Sequence, residues 1–243
     1  MSDNIAEQLA PTGVLRAGIN MSNFLLVTGR TESGDPDGVS PDMARALGER
    51  IGVPVKMVPF PTPGELADAA EDDIWDIGLI GAEPQRAEKI AFTLAYSEIE
   101  ATYLVPPGSP IQSIEEVDRA GIRIAVSARS AYELWLSRNI EHAELVLAQG
   151  LGAAFQLFVD EGYEALAGLR PGLIGDLEKL PGARILDGQF SAVQQAIGVP
   201  RSRPGSAAAF VADFVEEAKT SGLVASLIAR HGVEGRLMVA AAG

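Results

Sequence analysis

Short apolar runs alternate along this chain with longer segments whose apolar residues recur at spacings of three and four, the pattern of an α/β protein. Residues 14–19 predict a buried strand. Ser40-Pro41 then opens an amphipathic helix through Ile51, with proline at its first position, Asp42 in its first turn and Gly52 where a C-terminal cap belongs. Met43, Ala44, Leu47 and Ile51 form its apolar stripe. Strands over 55–60 and 74–80, with a helix over 64–70 between them, complete a parallel βαβαβ unit. The segment 83–92 opens with Glu-Pro and places Arg86 in a first helical turn at the carboxyl ends of these strands, where open α/β sheets bind ligands.

The β-prone run 102–105 stops at Pro106-Pro107 and predicts a strand crossing into a second lobe. That lobe repeats the grammar: strand 123–126, helix 131–139, strand 143–147, helix 151–161 and strand 165–169. A β-capable stretch over 189–199 returns the chain, and helices over 205–221 and 223–231 pack on the first lobe. The expected organisation is therefore a discontinuous α/β lobe from residues 1–104 and 194–243, a second α/β lobe from 105–193, two hinge strands, and a ligand cleft between the lobes.

Composition narrows the partners. Of 243 residues, 47% are hydrophobic, enough for real cores, and 33 acidic against 19 basic residues give a formal net charge of -14. Such a field disfavours nucleic acid and anionic membrane. A small anionic ligand must then be won by a local cation in a recessed site, and Arg86 is the candidate. There is no cysteine, and His142 and His231 are the only histidines, so neither a metal site nor a cofactor is expected. No nucleotide-binding or zinc motif occurs. The opening residues lack a basic n-region and a long apolar run, and no window approaches the ~20 apolar residues of a membrane span. The expectation is a protein without membrane insertion, cytoplasmic as the sequence stands and periplasmic if a leader was removed.

Three segments carry a resemblance. Gly38-Val-Ser-Pro-Asp-Met-Ala-Arg-Ala-Leu, Trp75-Asp76-Ile77, and Pro84-Gln85-Arg86-Ala87-Glu88-Lys89-Ile90-Ala91-Phe92 followed by Tyr96 stand in an order that resembles the family 3 extracellular solute-binding proteins of amino-acid ABC transporters. The resemblance covers nearly the whole chain. It implies a two-lobed periplasmic-binding-protein fold of type II, the venus-flytrap architecture. It also implies that Arg86 grips a ligand carboxylate through its guanidinium fork; the alternative is a surface arginine paired with Glu83 or Glu88. The turn 127–131, with Arg129, Ser130 and Ala131, matches the family's second anion clamp, although Ser130 reads equally as a helix N-cap. Asn20 and Asn23 match a polar contact and Phe24 an aromatic wall, or simply core. Gly81 and Tyr96 complete the set of ligand-binding candidates.

Departures from the family pattern shape the expected ligand. The loop 78–83 has no serine or threonine, and 165–170 has no acid to receive an α-ammonium. Arg170 adds positive charge there, or is a solvent-facing turn residue before Pro171-Gly172. An organic acid or an atypical amino acid fits better than a standard one. The expected function is a binding protein for ABC-type uptake or sensing, with a permease as possible partner. The alternative is a cytoplasmic lyase, dehydratase or isomerase resembling cyclohexadienyl dehydratases, which share the fold and eliminate water from a cyclic carboxylate. Glu98 and Glu100, which share one strand face, are the acids such an enzyme would use; the ordinary reading of the pair is a solvated edge. Binding is favoured over catalysis.

Overall fold

The computed structural model describes residues 5–243, so residues 1–4, assigned above to the first lobe, lie outside the described residues. The elements run α1 (Ile5–Leu9), β1 (Leu15–Asn20), β2 (Gly29–Arg30), β3 (Pro36–Asp37), α2 (Val39–Ile51), β4 (Val55–Phe60), α3 (Pro63–Asp68), β5 (Ile77–Gly81), β6 (Ile90–Phe92) and β7 (Ser97–Val105). They continue through β8 (Arg123–Ser127), α4 (Ala131–Asn139), β9 (Glu144–Ala148), α5 (Leu151–Asp160), β10 (Ala165–Leu169), α6 (Arg170–Lys179) and β11 (Arg184–Ile185). The last are β12 (Ser191–Pro200), α7 (Gly205–Thr220), α8 (Leu223–Arg230) and β13 (Met238–Val239). The chain divides into two compact units, one formed by the chain up to Glu98 with Gln194–Gly243, the other by Ile99–Val193. No helix among the described residues is long and apolar enough to cross a membrane.

In the first unit β1 lies between β4 and β5 and runs parallel to both, with Ala17 opposite Met57 and Ile77. β12 joins β5 antiparallel, β6 adds to β12, and β13 pairs with Ser97 and Glu98. β5 is buried along its whole length, as a strand covered on both faces must be. Leu66, Ala69, Ala70, Trp75 and Ile80 form the core under α3. Of the expected stripe, Met43, Ala44 and Leu47 of α2 are fully buried, while Ile51 at the helix end is half-buried. Gly38 precedes α2 at φ 147°, and a Cβ there would stand 2.3 Å from the Leu26 carbonyl oxygen, so only glycine fits.

The second unit repeats this plan: β8 lies between β9 and β10, parallel to both, and β10 pairs antiparallel with β7. Phe158, Leu166 and Leu173 centre its core. Where the sequence suggested a turn at Arg170-Pro171-Gly172, the chain is helical. Pro171 occupies the first turn of α6, where a missing N–H costs nothing, and Leu173 anchors the helix in the core.

Both units clamp the start of adjacent parallel strands in the same way. Asp76, just before β5, is fully buried. Its Oδ2 accepts from the Arg16 backbone N–H at 2.8 Å and Arg16 Nε at 3.0 Å, and its Oδ1 accepts from Arg16 Nη2 and Arg203 Nη2, both at 2.7 Å. Just before β10, Glu164 Oε2 accepts from the Arg123 backbone N–H at 2.9 Å and Nε at 3.0 Å, and Oε1 accepts from Nη2 at 2.8 Å. Each arginine and acid directly precede a registered pair, Ala17 with Ile77 and Ile124 with Ala165. The hydrogen bond to Asp76 holds the Arg16 guanidinium above its ordinary range, and that from Arg123 holds the Glu164 carboxyl below its own.

Asp76→Ala strands two guanidinium groups beside a buried gap, so a loss of about 3–5 kcal/mol is expected, read as a lower urea midpoint at unchanged slope. A loss under about 1 kcal/mol would mean that the clamp contributes no more than an exposed ion pair.

Candidate ligand site at the carboxyl ends of the strands

In the first unit the parallel strands β1, β4 and β5 end together at Asn20, Phe60 and Gly81. Asn20 and Asn23 are buried and shape the loop that follows β1. Asn20 Oδ1 accepts from the Ser22 N–H at 3.2 Å and hydroxyl at 2.8 Å, and Asn23 Oδ1 from the Leu25 N–H at 3.2 Å. Phe24, by contrast, stands 39% exposed.

Arg86 does not open an α-helix. It begins a 3₁₀ turn, Arg86–Glu88, and its N–H and that of Ala87 both reach the Glu83 carbonyl at 3.0 Å. β6 starts at Ile90 and leaves no room for a longer helix. Nor does the residue lie on the surface: it is 6% exposed, with Nη1 donating to the Gly81 carbonyl at 2.7 Å. The ladder explains why that carbonyl is available. Ala82 N–H bonds the Gln194 carbonyl at 2.8 Å, which makes 82 and 194 a hydrogen-bonded pair and leaves Gly81 and Gln195 the neighbouring non-hydrogen-bonded one. The Gly81 carbonyl therefore turns away from β12 and meets the guanidinium.

Tyr96 is fully buried and links two elements of this end. Its hydroxyl shares a 2.8 Å hydrogen bond with Ser40 Oγ in the first turn of α2, and its N–H donates to the Gln195 carbonyl at 2.8 Å. Burial pushes the phenol above its ordinary value, and the Ser40 contact opposes this only in part.

At the carboxyl ends of β8 and β10 the second unit is arranged differently. Arg129 takes a left-handed conformation, φ 60°, uncommon outside glycine. Ser130 caps α4, its Oγ accepting from the Glu133 N–H at 3.1 Å. Glu133 folds back: Oε2 accepts from the Arg129 N–H at 2.8 Å and Oε1 from the Ser137 hydroxyl at 2.6 Å. Glu133 thus brings one of the chain's own carboxylates to this helix start. Ala131, the first helical residue, is buried.

Arg170, the first residue of α6, spends its charge within the unit, with Nε donating to Glu100 Oε2 at 2.5 Å and Nη2 to the Gly188 carbonyl. Glu98 belongs to the first unit, half-buried and paired with Met238.

Asp37, Asp42 and His231 bring potential metal-ligating atoms within 4.8 Å of one another. Arginines occupy the place a cation would take: Arg45 lies 2.7 Å from Asp42 and 3.6 Å from Asp37, and Arg230 lies 3.3 Å from Asp42. His231 Nε2 contacts Asp42 at 2.8 Å. Burial pushes the Asp42 carboxyl up, but its bonds from His231 and Arg45 outweigh this and hold it below the usual range. The donor set reads as an ion-pair network that joins α8 to α2.

With this geometry in place, comparison with known proteins identifies the class. The family model for bacterial extracellular solute-binding proteins, family 3, matches residues 15–234, and the chain belongs to that family. Its fold is the two-lobed type II periplasmic-binding-protein fold: a mutant of ArgBP from T. maritima superposes with TM-score 0.74 at 20% identity, covering 95% of this chain and 100% of that one. An ancestral amino acid-binding protein, a precursor of cyclohexadienyl dehydratase, gives 0.73 at 20% identity over 92% and 97%. In sequence, the cyclohexadienyl dehydratase of Pseudomonas aeruginosa is 27% identical over 158 residues, 63% of this chain. The matched stretch spans 58% of that relative's length.

Sequence reasoning passed over Gln195 and Glu133. A signal for the first existed: in Ser191-Ala-Val-Gln-Gln-Ala-Ile-Gly-Val, Gln195 falls in the same alternation as Val193, Ile197 and Val199, a polar residue on a core face. Glu133 stands three residues after Ser130, the spacing of a capping box.

Ser130→Ala is expected to cost about 1 kcal/mol in chemical unfolding; no change would mean that another group caps α4. Alkali should act through the buried phenols. Tyr132 is pushed up to about 12 by burial, against hydrogen bonds from Ser130 and Ser127. A phenol raised above its unfolded value of about 10 contributes stability that is intact below that pH and lost as pH rises through the folded value. Phenolate absorbance at about pH 11 should therefore be much lower for folded protein than for protein unfolded in urea. Equal absorbance would show that the tyrosines titrate freely.

Proposed function

We propose that this protein binds a small carboxylate-bearing ligand, an organic acid or an atypical amino acid, for ABC-type uptake or sensing, and that Arg86 receives the carboxylate. The observation that carries this reading is a guanidinium held in the interior, against the Gly81 carbonyl, at the carboxyl end of β5. A buried fork of N–H donors matches a carboxylate in shape and charge. Against a net charge of -14, an anion is attracted only where a cation acts at short range in a poorly solvated place. Membership of a solute-binding family, and structural likeness to amino acid-binding proteins, support binding as the activity and an ABC permease as the partner.

A second reading has one observation in its favour, the 27% identity to a cyclohexadienyl dehydratase. On that reading the chain eliminates water from a small carboxylate. Glu100 is a poor general acid for this, because its carboxylate is already bonded to Arg170 Nε; Glu98 is the better candidate.

Proton NMR of mono- and dicarboxylates, amino acids and prephenate-like compounds, followed over hours with the purified protein, separates the two. Line broadening without new peaks supports binding, and product peaks make the protein an enzyme. Arg86→Ala should weaken binding by about 100-fold or more, and Arg86→Lys by at least about tenfold because the fork is lost, in proteins whose melting shows them folded. Broadening that survives Arg86→Ala would overturn the assignment.

A further inference from the structure

Gln195 is the polar exception on the core face of β12: Val193, Ile197 and Val199 share its alternation and all four side chains are buried, Gln195 at 3% exposure. Its amide oxygen Oε1 has no hydrogen-bond partner among the described residues. An acceptor hidden from water without a donor is a standing cost that an apolar side chain of the same size would not carry. Its position suggests what it serves. Gln195 faces Gly81 in the non-hydrogen-bonded kind of pair, the kind that brings facing side chains closest, and glycine places no side chain of its own there. The carbonyl of that same Gly81 holds Arg86 Nη1. Amide and guanidinium therefore flank one glycine, the first across the ladder and the second on its carbonyl. Ala82 and Tyr96 fix the backbone on both sides, through the bonds to Gln194 and Gln195.

The geometry points to Gln195 Oε1 as a second ligand-binding group of the Arg86 site, accepting a hydrogen bond from an N–H or O–H of the ligand whose carboxylate Arg86 receives. The inference rests on the carboxylate reading above and adds the ligand's second feature. The ligand carries a hydroxyl or amine a few bonds from its carboxyl group. A plain carboxylate leaves the buried oxygen unmatched and is discriminated against. A neutral amide suits this place, because an acid beside Arg86 would compete with the ligand for the guanidinium.

Matched probes test this: L-lactate with propionate, and L-lysine with hexanoate, titrated calorimetrically into the wild-type protein, Arg86→Ala, Gln195→Leu and Gln195→Glu. The donor-bearing member of at least one pair should bind about tenfold or more tightly than its plain partner. Gln195→Leu should erase that difference while binding stays dependent on Arg86, and Gln195→Glu should abolish binding. Without ligand, Gln195→Leu should melt no lower than the wild type. Arg86-dependent binding with undiminished discrimination in Gln195→Leu would overturn the inference and leave the carboxylate reading standing. A ligand-free Gln195→Leu that melts several degrees lower would also overturn it, by showing that the amide serves the fold. If no probe binds in an Arg86-dependent way, the carboxylate reading falls and this inference with it.

Discussion

A carboxylate docked at the start of a strand must be matched by charge and by hydrogen bonds, and each unit of this protein is organised around one such match, fully buried at Asp76 and half-buried at Glu164. Parallel strands cannot be set in register by a tight hairpin, because the chain must cross over between them. Asp76 and Glu164 supply the register instead, each taking the backbone N–H and the guanidinium of an arginine on the neighbouring strand. A slip of one residue would break several charge-assisted bonds at once and turn buried side chains to the wrong face. Everything at the opposite ends of the strands, where Asn20, Gly81 and Ser127 emerge, inherits its position from these clamps.

The carboxyl ends of the two sheets differ in how fully their polar groups are satisfied. In the second unit the chain's own acid, Glu133, bonds the Arg129 N–H beside the helix start, and Arg170 is paired with Glu100. The first unit keeps, across the ladder from the glycine whose carbonyl holds Arg86, an amide oxygen with no donor among the described residues. Stable folds rarely retain such an imbalance without a use for it, since an apolar replacement would be cheaper. On the proposed reading, the use is a ligand that brings an anion and a donor together.

The family places this chain among solute-binding proteins, yet a relative that is 27% identical over 158 residues is named as a dehydratase. Fold alone cannot divide binding from catalysis; the site chemistry must. A carboxyl that is to act on a substrate must be free to reach it, and Glu100 is already bonded to the Arg170 guanidinium. The ion-pair network of Asp42, His231 and the two arginines is similarly self-contained, and belongs to the packing of α8 against α2.

By itself the sequence determined the α/β class, the alternation of elements, and many of their limits. The helix expected over 131–139 and the strands over 55–60 and 165–169 coincide with α4, β4 and β10, because the periods of 3.6 and 2 are local properties of the chain. The placement of Arg86 just after the third strand was legible for the same reason. Its burial was foreshadowed only by the need for a recessed cation in an acidic chain, and its 3₁₀ turn was not legible. Nor were the bond of Arg170 to an acid 70 residues away, the bond of Glu133 to the Arg129 N–H, or the isolation of the Gln195 oxygen. A hydrogen bond is decided by which atoms come within about 3 Å of one another, and only the packed tertiary structure brings such distant residues together or keeps a partner away.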